Sequence, residues 1–281
     1  MKQNKTGGVV VLYNPNIKET LSNIQTYIND LDILICIDNS NESHEKYLAE
    51  IPKITYIALG QNKGVSYALN LGCQKLIDMD CGILFTFDQD TFFEDRCIIK
   101  MVDLLIENEK ICVSPNVKRV IRKDGKRVIK EPPMYPVDNE YVKWVITSGC
   151  GFSSSLYKKI KEFDSKLFIG QVDMDFCCAV YNSGGKVCRI GNIFMYQELG
   201  NAEERRFFWR KVFTPNLAPI RYYYVFRNER YLRKKWGKKY KGYKAPLLQY
   251  IVMVLLYEKR KKEKIYQMIR GYNQGRSLIH G

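Results

Sequence analysis

The sequence predicts an α/β fold with a central, mostly parallel sheet. Over the first hundred residues, short apolar runs rich in β-branched residues alternate with helical patterns, which is typical of parallel strands joined by crossover helices. Acidic residues directly follow two of the apolar runs. Ligands of open α/β sheets bind beyond the carboxyl ends of the strands, so the same pattern predicts where a site lies.

Each element follows from its apolar spacing. The predicted strands are residues 8–13, 33–37, 54–58 and 83–87, and the predicted helices are 19–29 and 65–76. Strands of this kind are short continuous apolar runs, whereas the helices place apolar residues three or four apart. Further along, residues 117–122 and 127–129 flank Asp124 and Gly125. Asp-Gly between two β-rich runs predicts a hairpin.

Charge divides the chain into two parts. Residues 203–281 contain 21 Lys and Arg against 5 Asp and Glu, a net charge of +16, whereas the preceding 202 residues contain 24 against 25, a net charge of −1. We therefore predict one domain over residues 1–204 and a basic, helical C-terminal extension over residues 205–281. Such an extension favours a polyanionic partner, either an anionic membrane or a nucleic acid, although a solvated helical face has the same composition.

An apolar run in this extension predicts a membrane-surface helix. Residues 246–257 form a 12-residue run followed by a basic segment, and spanning a bilayer takes about 20 apolar residues. An interfacial helix fits this pattern, and a helix packed on the body is the alternative. The N-terminal apolar run 9–12 is too short for a signal peptide. The nine cysteines form no C-x-x-C pair, so we expect a reducing, cytoplasmic location and no zinc site.

The motif that indicates chemistry is Asp88-Gln89-Asp90, which follows the apolar run 83–87. Two carboxylates one residue apart at a strand end can hold a hard divalent cation that bridges a diphosphate. The motif alone is a weak signal because it is short. Its position after a predicted strand makes Mg²⁺ or Mn²⁺ the expected cofactor.

Two other strand ends and one loop suggest a bound nucleotide. Tyr13 follows the first predicted strand and Asp38 the second, so a planar side chain and an acid are available for a base and a ribose. Asp38 and the two residues after it are equally suited to a turn. Lys63 and Gly64 precede the predicted helix 65–76, and a glycine, a cation and a helix N-terminus suit a phosphate, although they also suit an ordinary helix start.

Six segments, in this order, resemble family 2 glycosyltransferases, which are inverting enzymes with the nucleotide-sugar-binding (GT-A-type) fold. They are VVVLYNP, IDNS, LGQNKGVSYALN, FTFDQDT, ITSGCGFSSSLYKKI and LFIGQVDMDFC, within residues 8–200. Residues 88–91, 146–149 and 219–228 are most similar to rhamnosyltransferases of surface-polysaccharide synthesis. The resemblance implies a hexosyltransferase that moves L-rhamnose from dTDP-rhamnose to a lipid-linked glycan. Together with the basic extension, it leads us to expect a peripheral protein at the inner face of a membrane.

The resemblance also implies roles for single residues. The implied donor-binding residues are Tyr13, Asp38, Lys63, Gly64 and Asp88. Asp88 and Asp90 would engage the ribose and the metal, with Asp90 as the direct ligand. Many members carry a histidine shortly before a Leu-Gly pair, where this chain has Gln197. An amide oxygen replaces an imidazole there, which puts the strength of metal dependence in question.

Asp173 is the predicted general base. Asp173 and Asp175 lie in a segment predicted to begin a helix, and residues two apart on a helix point to different sides. By resemblance, Asp173 matches the acid that family members direct at the acceptor. The alternative is that both acids only favour the positive end of a helix dipole.

Three other functions are compatible with parts of the sequence. The first is the same chemistry with a UDP-hexose donor. The second is a non-catalytic nucleic-acid-binding protein that uses the basic extension with Tyr222, Tyr223 and Tyr224. We expect no nucleic-acid partner, because Asp88 and Asp90 would repel a phosphate backbone unless a cation intervened. The third, a NAD-dependent oxidoreductase, would have G-x-G-x-x-G after the first strand, and the chain lacks it there.

Overall fold

The computed structural model describes residues 5–93, 96–123, 126–130, 138–198, 203–207, 209–242 and 247–279. The chain forms two compact units. The first consists of Met1–Phe168 and Val172–Glu198, and the second of Ile169–Gln171 and Leu199–Gly281. The second unit therefore takes three residues from the middle of the first, so the chain passes between the units more than once.

The first unit is built on a mixed sheet with mostly parallel strands. The strands are β1 (Thr6–Leu12), β2 (Ile33–Asp38), β3 (Ile54–Ala58), β4 (Ile83–Asp88), β5 (Phe92–Phe93), β6 (Ile111–Lys123), β7 (Lys126–Lys130), β8 (Glu140–Tyr141), β9 (Cys150–Ser153) and β10 (Lys186–Glu198). Their order is β3-β2-β1-β4-β9-β6-β10-β5, with β7 beside β6 and β8 beside β10. Strands β1 to β4 pair in parallel, whereas β9 is antiparallel to both neighbours.

Helices cover this sheet. They are α1 (Ile17–Gln25), α2 (Glu45–Leu48), α3 (Val65–Asp78), α4 (Cys97–Glu107), α5 (Ser154–Ile160) and α6 (Val172–Asn182). The inner strands are apolar along their length and buried, as expected for parallel strands covered on both faces. Helix α4 buries Cys97, Met101 and Leu105, which are four residues apart and share one face. Asn16 begins α1 by accepting a hydrogen bond from the Glu19 backbone N–H.

The predicted elements of the first hundred residues are confirmed within two residues at most ends. Helix α1 ends at Gln25, earlier than predicted, because a separate 3-10 turn follows at Ile28–Asp30. The predicted hairpin is also confirmed, since β6 and β7 pair antiparallel from Arg119 and Lys130 to Lys123 and Lys126. Its turn residues, Asp124 and Gly125, lie outside the described residues.

The second unit begins with a hairpin that sequence reasoning missed. Strands β11 (Glu203–Phe207) and β12 (Arg210–Thr214) pair antiparallel, and α7 (Pro219–Trp236), α8 (Leu247–Tyr257) and α9 (Lys261–Gln274) follow. No Asn-Gly or Asp-Gly marks this hairpin turn, which is why its signal is weak. Proline at the first turn of α7 and Gly237 after its last residue are ordinary helix boundaries. No described helix has the length and apolar content needed to cross a membrane.

A buried carboxylate joins the elements of the second unit. Glu258, directly after α8, accepts hydrogen bonds from the Thr214 hydroxyl, from Tyr222 Oη at 2.7 Å and from Lys264 Nζ at 2.7 Å. Both members of the Lys264–Glu258 pair are buried. Removing one partner of such a pair is costly because the other charge stays buried. The network therefore fixes β12, α7 and α9 to the end of α8.

The three residues taken from the first unit's span are held by α7. Asn228 Nδ2 donates to the carbonyl oxygens of Ile169 at 3.0 Å and Gly170 at 2.8 Å. Gln171 Nε2 donates to the Val225 carbonyl at 3.2 Å. Each of these residues belongs to the second unit. A short segment of backbone, directly before α6 in the chain, is thus part of the second unit's polar interior.

Candidate active site

The carboxyl ends of three parallel strands meet at one edge of the sheet. Asp38, the last residue of β2, is in register with Leu12 of β1. Asp88, the last residue of β4, is in register with Val11 of β1. Tyr13 directly follows β1 and lies between the two acids. The structure therefore brings together three of the predicted donor-binding residues.

The Asp88-Gln89-Asp90 motif is fixed by neighbours on both sides. The Tyr13 N–H donates to Gln89 Oε1 at 2.8 Å, and Gln89 Nε2 donates to the Tyr13 carbonyl at 3.3 Å. On the other side, the Asp88 N–H donates to Ser148 Oγ at 2.9 Å. The Tyr13 side chain is half-exposed. The ring is thus available to a planar ligand while its backbone holds the motif.

Gln197 contacts the motif through its amide nitrogen. Gln197 Nε2 lies 2.7 Å from Asp88 Oδ2. Only the NH₂ end of an amide can donate to a carboxylate, so the amide oxygen does not face this acid. Gln197 lies near the end of β10, far from Asp88 in sequence. The residue that stands in place of a histidine therefore orients Asp88 in this structure.

Asp90 lies in an electronegative environment. Burial, together with the negative charges of Asp88 and Glu198, raises the pKa of Asp90 to about 7. Among the residues that the structure describes, no three His, Cys, Asp or Glu side chains form a metal-binding group. Mg²⁺ needs fewer protein ligands, because it is usually held by one or two carboxylates together with substrate phosphates. The carboxylates of Asp88 and Asp90 fit that donor set, and metal dependence remains a prediction.

Asp38 is more enclosed than its predicted role suggests. Its carboxylate is buried and accepts hydrogen bonds from the Ser40 N–H at 3.0 Å, His44 Nδ1 at 2.7 Å and Tyr56 Oη at 2.5 Å. Burial opposes ionisation, but the hydrogen bonds from Ser40, Tyr56 and His44 outweigh it and hold the pKa of Asp38 below its usual value. The turn anticipated at this position is present, and direct contact with a nucleoside remains a prediction.

Two asparagines that the sequence analysis did not single out position the loop before α3. Asn39 Oδ1 accepts from the Lys63 N–H at 2.7 Å, and Asn62 Oδ1 accepts from the Gly64 N–H at 3.0 Å and from Asn39 Nδ2 at 3.0 Å. The Lys63 ammonium lies 5.0 Å from the Tyr67 ring centroid, and both side chains are exposed. The loop is thus fixed to the end of β2 through its backbone, while its cation stays accessible to an anion.

Gly64 occupies a position that only glycine fits. Its φ is +89°, and a Cβ there would lie 2.7 Å from the Phe168 carbonyl oxygen. We expect Gly64→Ala to lower the free energy of unfolding by about 2 to 4 kcal/mol, from left-handed backbone and steric overlap together. Gly60→Ala is the control, because Gly60 has φ +66° and open space around it. Urea denaturation of both variants measures the difference in unfolding free energy. Equal losses of stability in the two variants would show that steric overlap with Phe168 does not contribute.

Asp173 lies on a different element from the strand-end residues. It is the second residue of α6, where its Oδ1 accepts from the Met174 N–H at 3.0 Å. Burial raises the pKa of Asp173 to about 6, although the backbone hydrogen bonds lower it. Asp175 is fully buried, whereas Asp173 is partly exposed. The structure therefore distinguishes the two acids by their exposure, and the role of Asp173 as the general base stays a prediction.

One segment links α6 to the strand edge. The Val145 N–H donates to Cys177 Sγ at 3.5 Å, and Cys177 is one turn after Asp173 on α6. Three residues beyond Val145, Ser148 accepts from the Asp88 backbone. Ser148 also forms a very short hydrogen bond with Thr91. Residues 145–148 thus relate the position of the helix that bears Asp173 to that of the acidic motif.

We expect Gln197→Leu to weaken binding of the donor with its cation by roughly 10- to 100-fold. A hydrogen bond to a charged group contributes about 1.5 to 3 kcal/mol, and leucine removes the donor to Asp88 without a large change of volume. Isothermal titration with nucleotide and Mn²⁺ measures the change. Gln89→Leu tests the other amide of the motif, which contacts the Tyr13 backbone. Unchanged affinity in Gln197→Leu would show that the Gln197–Asp88 contact is dispensable.

A GT-A-type sheet with paired carboxylates at its strand ends is the architecture of a nucleotide-sugar-dependent glycosyltransferase. The family model described as Glycosyl transferase family 2 matches residues 9–179, and the chain belongs to this family. The chain is 28% identical over 244 residues to the dTDP-rhamnosyl transferase RfbF of Shigella flexneri, covering 81% of this chain and 79% of that protein. The family assignment from sequence is confirmed, and the chain is similar to a rhamnosyltransferase.

A solved structure supports the fold. The structure of GalNAc-T7 with UDP, GalNAc and Mn²⁺ superposes with a TM-score of 0.58, at 14% sequence identity. The match covers 69% of this chain and 43% of that chain. At this identity the likeness concerns the fold alone. It confirms the predicted GT-A-type architecture of the sheet and its helices.

Proposed function

We propose that this glycosyltransferase moves L-rhamnose from dTDP-rhamnose to a lipid-linked glycan, with inversion, in surface-polysaccharide synthesis. The observation that carries the proposal is the acidic motif at the end of β4, joined to the Tyr13 backbone through Gln89. Similarity to the dTDP-rhamnosyl transferase RfbF supports the choice of donor. The basic composition of the C-terminal extension supports an acceptor that lies at a membrane.

The donor would lie along the strand ends. Tyr13 offers a half-exposed ring to the base, and Asp38, at the end of the neighbouring strand β2, would contact the nucleoside as a negative charge. Lys63 offers an exposed cation to the diphosphate, and Gly64 precedes the N-terminus of α3. Asp88 and Asp90 would hold Mg²⁺ or Mn²⁺, which offsets negative charge on the departing diphosphate when bound.

Inversion needs a base on the acceptor side. The acceptor hydroxyl oxygen forms a bond to the anomeric carbon as the bond from that carbon to the diphosphate oxygen breaks. The electron pair leaves with dTDP, and the hydroxyl proton passes to the Asp173 carboxylate. With a pKa of about 6, Asp173 is mostly ionised at neutral pH and still basic enough to take that proton.

Donor choice is tested by nucleotide release. We expect the full chain with Mn²⁺ and Mg²⁺ to hydrolyse dTDP-rhamnose slowly without an acceptor, and UDP-glucose, UDP-galactose and UDP-GalNAc far more slowly. Asp90→Ala is the blank for contaminating hydrolases. Release from a UDP-hexose above that from dTDP-rhamnose would replace the proposed donor by the alternative one. Release from none of them, by a protein that binds no nucleotide, would overturn the donor proposal.

A lipid-linked acceptor requires the enzyme to work at a membrane. We place it at the inner, cytoplasmic face, held by the extension over residues 205–281 and its excess of cations. Each Lys or Arg near an anionic surface contributes about 1 kcal/mol before screening. We propose a domain boundary between residues 204 and 205, close to the change of charge at residue 203.

A further inference from the structure

Helix α8 exposes one apolar face. Leu248 is 75% exposed, Leu255 51% and Leu256 49%, and Val252 lies between them, half-buried. The spacing of four, seven and eight residues places these four side chains on one side of the helix. Met253 and Val254 point the other way and are buried in the second unit. We call Leu248, Val252, Leu255 and Leu256 the α8 apolar face.

The turn of the hairpin that contacts the C-terminal end of this helix carries an exposed tryptophan. Tyr257, the last residue of α8, donates its hydroxyl to the Arg206 carbonyl of β11 at 2.8 Å. The turn that follows β11 carries Trp209, which is 85% exposed. Tryptophan is enriched at membrane–water interfaces, where its ring lies at the headgroup level. The α8 apolar face and Trp209 therefore belong to neighbouring elements of one unit.

Cations flank the same region. Lys259, which follows Glu258, and Lys262, in the first turn of α9, are exposed. Arg260 pairs with Glu263 at 2.7 Å, and Lys261 Nζ donates to the Leu255 carbonyl at 2.7 Å. Residues 259–263 thus contain four cations and one acid. The exposed arginines Arg205 and Arg206 of β11 add positive charge on the hairpin side.

We propose that the α8 apolar face and Trp209 insert into the headgroup region of an anionic bilayer. The proposal rests on the membrane association proposed above and names the element that enters the lipid. Single exposed aliphatic residues are common, but four on one helix face beside a tryptophan and a cationic segment match an interfacial helix. Charge complementarity selects anionic lipid as the occupant, because a cationic rim around an apolar face suits lipid headgroups.

Trp209 can report the insertion itself. The chain has three tryptophans, so Trp144→Phe/Trp236→Phe leaves Trp209 as the only one. We expect its emission to move to shorter wavelength when vesicles of phosphatidylcholine with phosphatidylglycerol are added. Lipids brominated in the acyl chain should then quench it. Pure phosphatidylcholine vesicles should produce little change, because they lack the anionic charge.

A matched pair of variants tests the helix face. Leu248→Gln/Leu255→Gln removes two leucines seven residues apart, and glutamine keeps a high helix propensity. Ile99→Gln/Ile106→Gln is the control, because these isoleucines of α4 are also seven apart and are 40% and 51% exposed. We expect the leucine variant to lose vesicle affinity about tenfold or more in sedimentation assays, and the isoleucine variant to bind like the unaltered protein. Thermal melting verifies that both stay folded.

The outcomes separate this proposal from the ones on which it rests. Binding to anionic vesicles with unchanged Trp209 emission and equal affinity of both variants would overturn insertion and leave electrostatic association. No binding to any vesicle would overturn the membrane association as well. A dimer in sedimentation velocity that only Leu248→Gln/Leu255→Gln dissociates would assign the face to a second copy instead of lipid. Nucleotide release from dTDP-rhamnose, measured without vesicles, tests the transferase function independently.

Discussion

Asp173→Asn is expected to lower the turnover number for glycosyl transfer by a factor on the order of 10² to 10⁴, with donor affinity preserved. Asparagine has almost the same shape as aspartate but cannot accept the acceptor's proton. Burial raises the pKa of Asp173 to about 6. In the unaltered enzyme, kcat/KM should therefore fall about tenfold per pH unit below that value, as the base becomes protonated. At saturating Mn²⁺, which competes with protons for Asp90, the part of the acidic limb caused by Asp173 should be absent in Asp173→Asn.

Asp175→Asn is the comparison for this prediction. Asp175 is on the same helix but is buried, so its loss should lower thermal stability more than turnover per folded molecule. Turnover and donor binding are measured side by side, with the folded fraction determined by circular dichroism. If Asp173→Asn keeps near-normal turnover while Asp175→Asn does not, the base has been assigned to the wrong carboxylate.

Asp90→Ala is expected to reduce transfer by a factor on the order of 10³ or more, because stabilisation of the leaving diphosphate by a cation amounts to several kcal/mol. Without its partner acid, Asp88 alone would hold the cation weakly. Activity of the unaltered enzyme should vanish in excess chelator and return with Mg²⁺ or Mn²⁺. Calorimetric titration of Mn²⁺ with dTDP present measures cation binding without turnover. We expect Asp90→Ala to bind Mn²⁺ and dTDP weakly.

Asp103→Ala controls for the loss of one negative charge, because Asp103 is exposed on α4. It should behave like the unaltered enzyme in both assays. Full activity in excess chelator would show that transfer does not require a metal ion. Reduced but persistent activity would indicate weakened metal dependence, in keeping with Gln197 at the position where many family members carry a histidine.

The sheet edge could be predicted because its determinants are local. A parallel strand that is covered on both faces must be a continuous apolar run, so β2 and β4 are visible in the sequence. The acids at their ends, Asp38 and Asp88, then follow by adjacency. Nothing in the sequence reveals that His44 and Tyr56 enclose Asp38, because the exposure of an acid depends on tertiary contacts and not on its residue type.

Contacts between distant segments could not be predicted. Gln197 meets Asp88 only because the sheet brings the end of β10 close to the acidic motif. Ser148 meets Asp88 through a loop whose path depends on β9 running antiparallel between β4 and β6. The hairpin of β11 and β12 was missed for another reason: its charged residues suggested a helix face, and its turn lacks the usual dipeptide.

The three residues at 169–171 limit how this enzyme can recombine with its relatives. A single genetic crossover after Glu198 would exchange most of the second unit as one cassette. It would leave behind the carbonyls of Ile169 and Gly170, to which Asn228 donates. A donated cassette must therefore carry a side chain that matches the backbone of residues 169 and 170, which the other parent supplies. A single cut in the sequence therefore does not separate the two units of the folded protein, because the second unit includes residues 169–171.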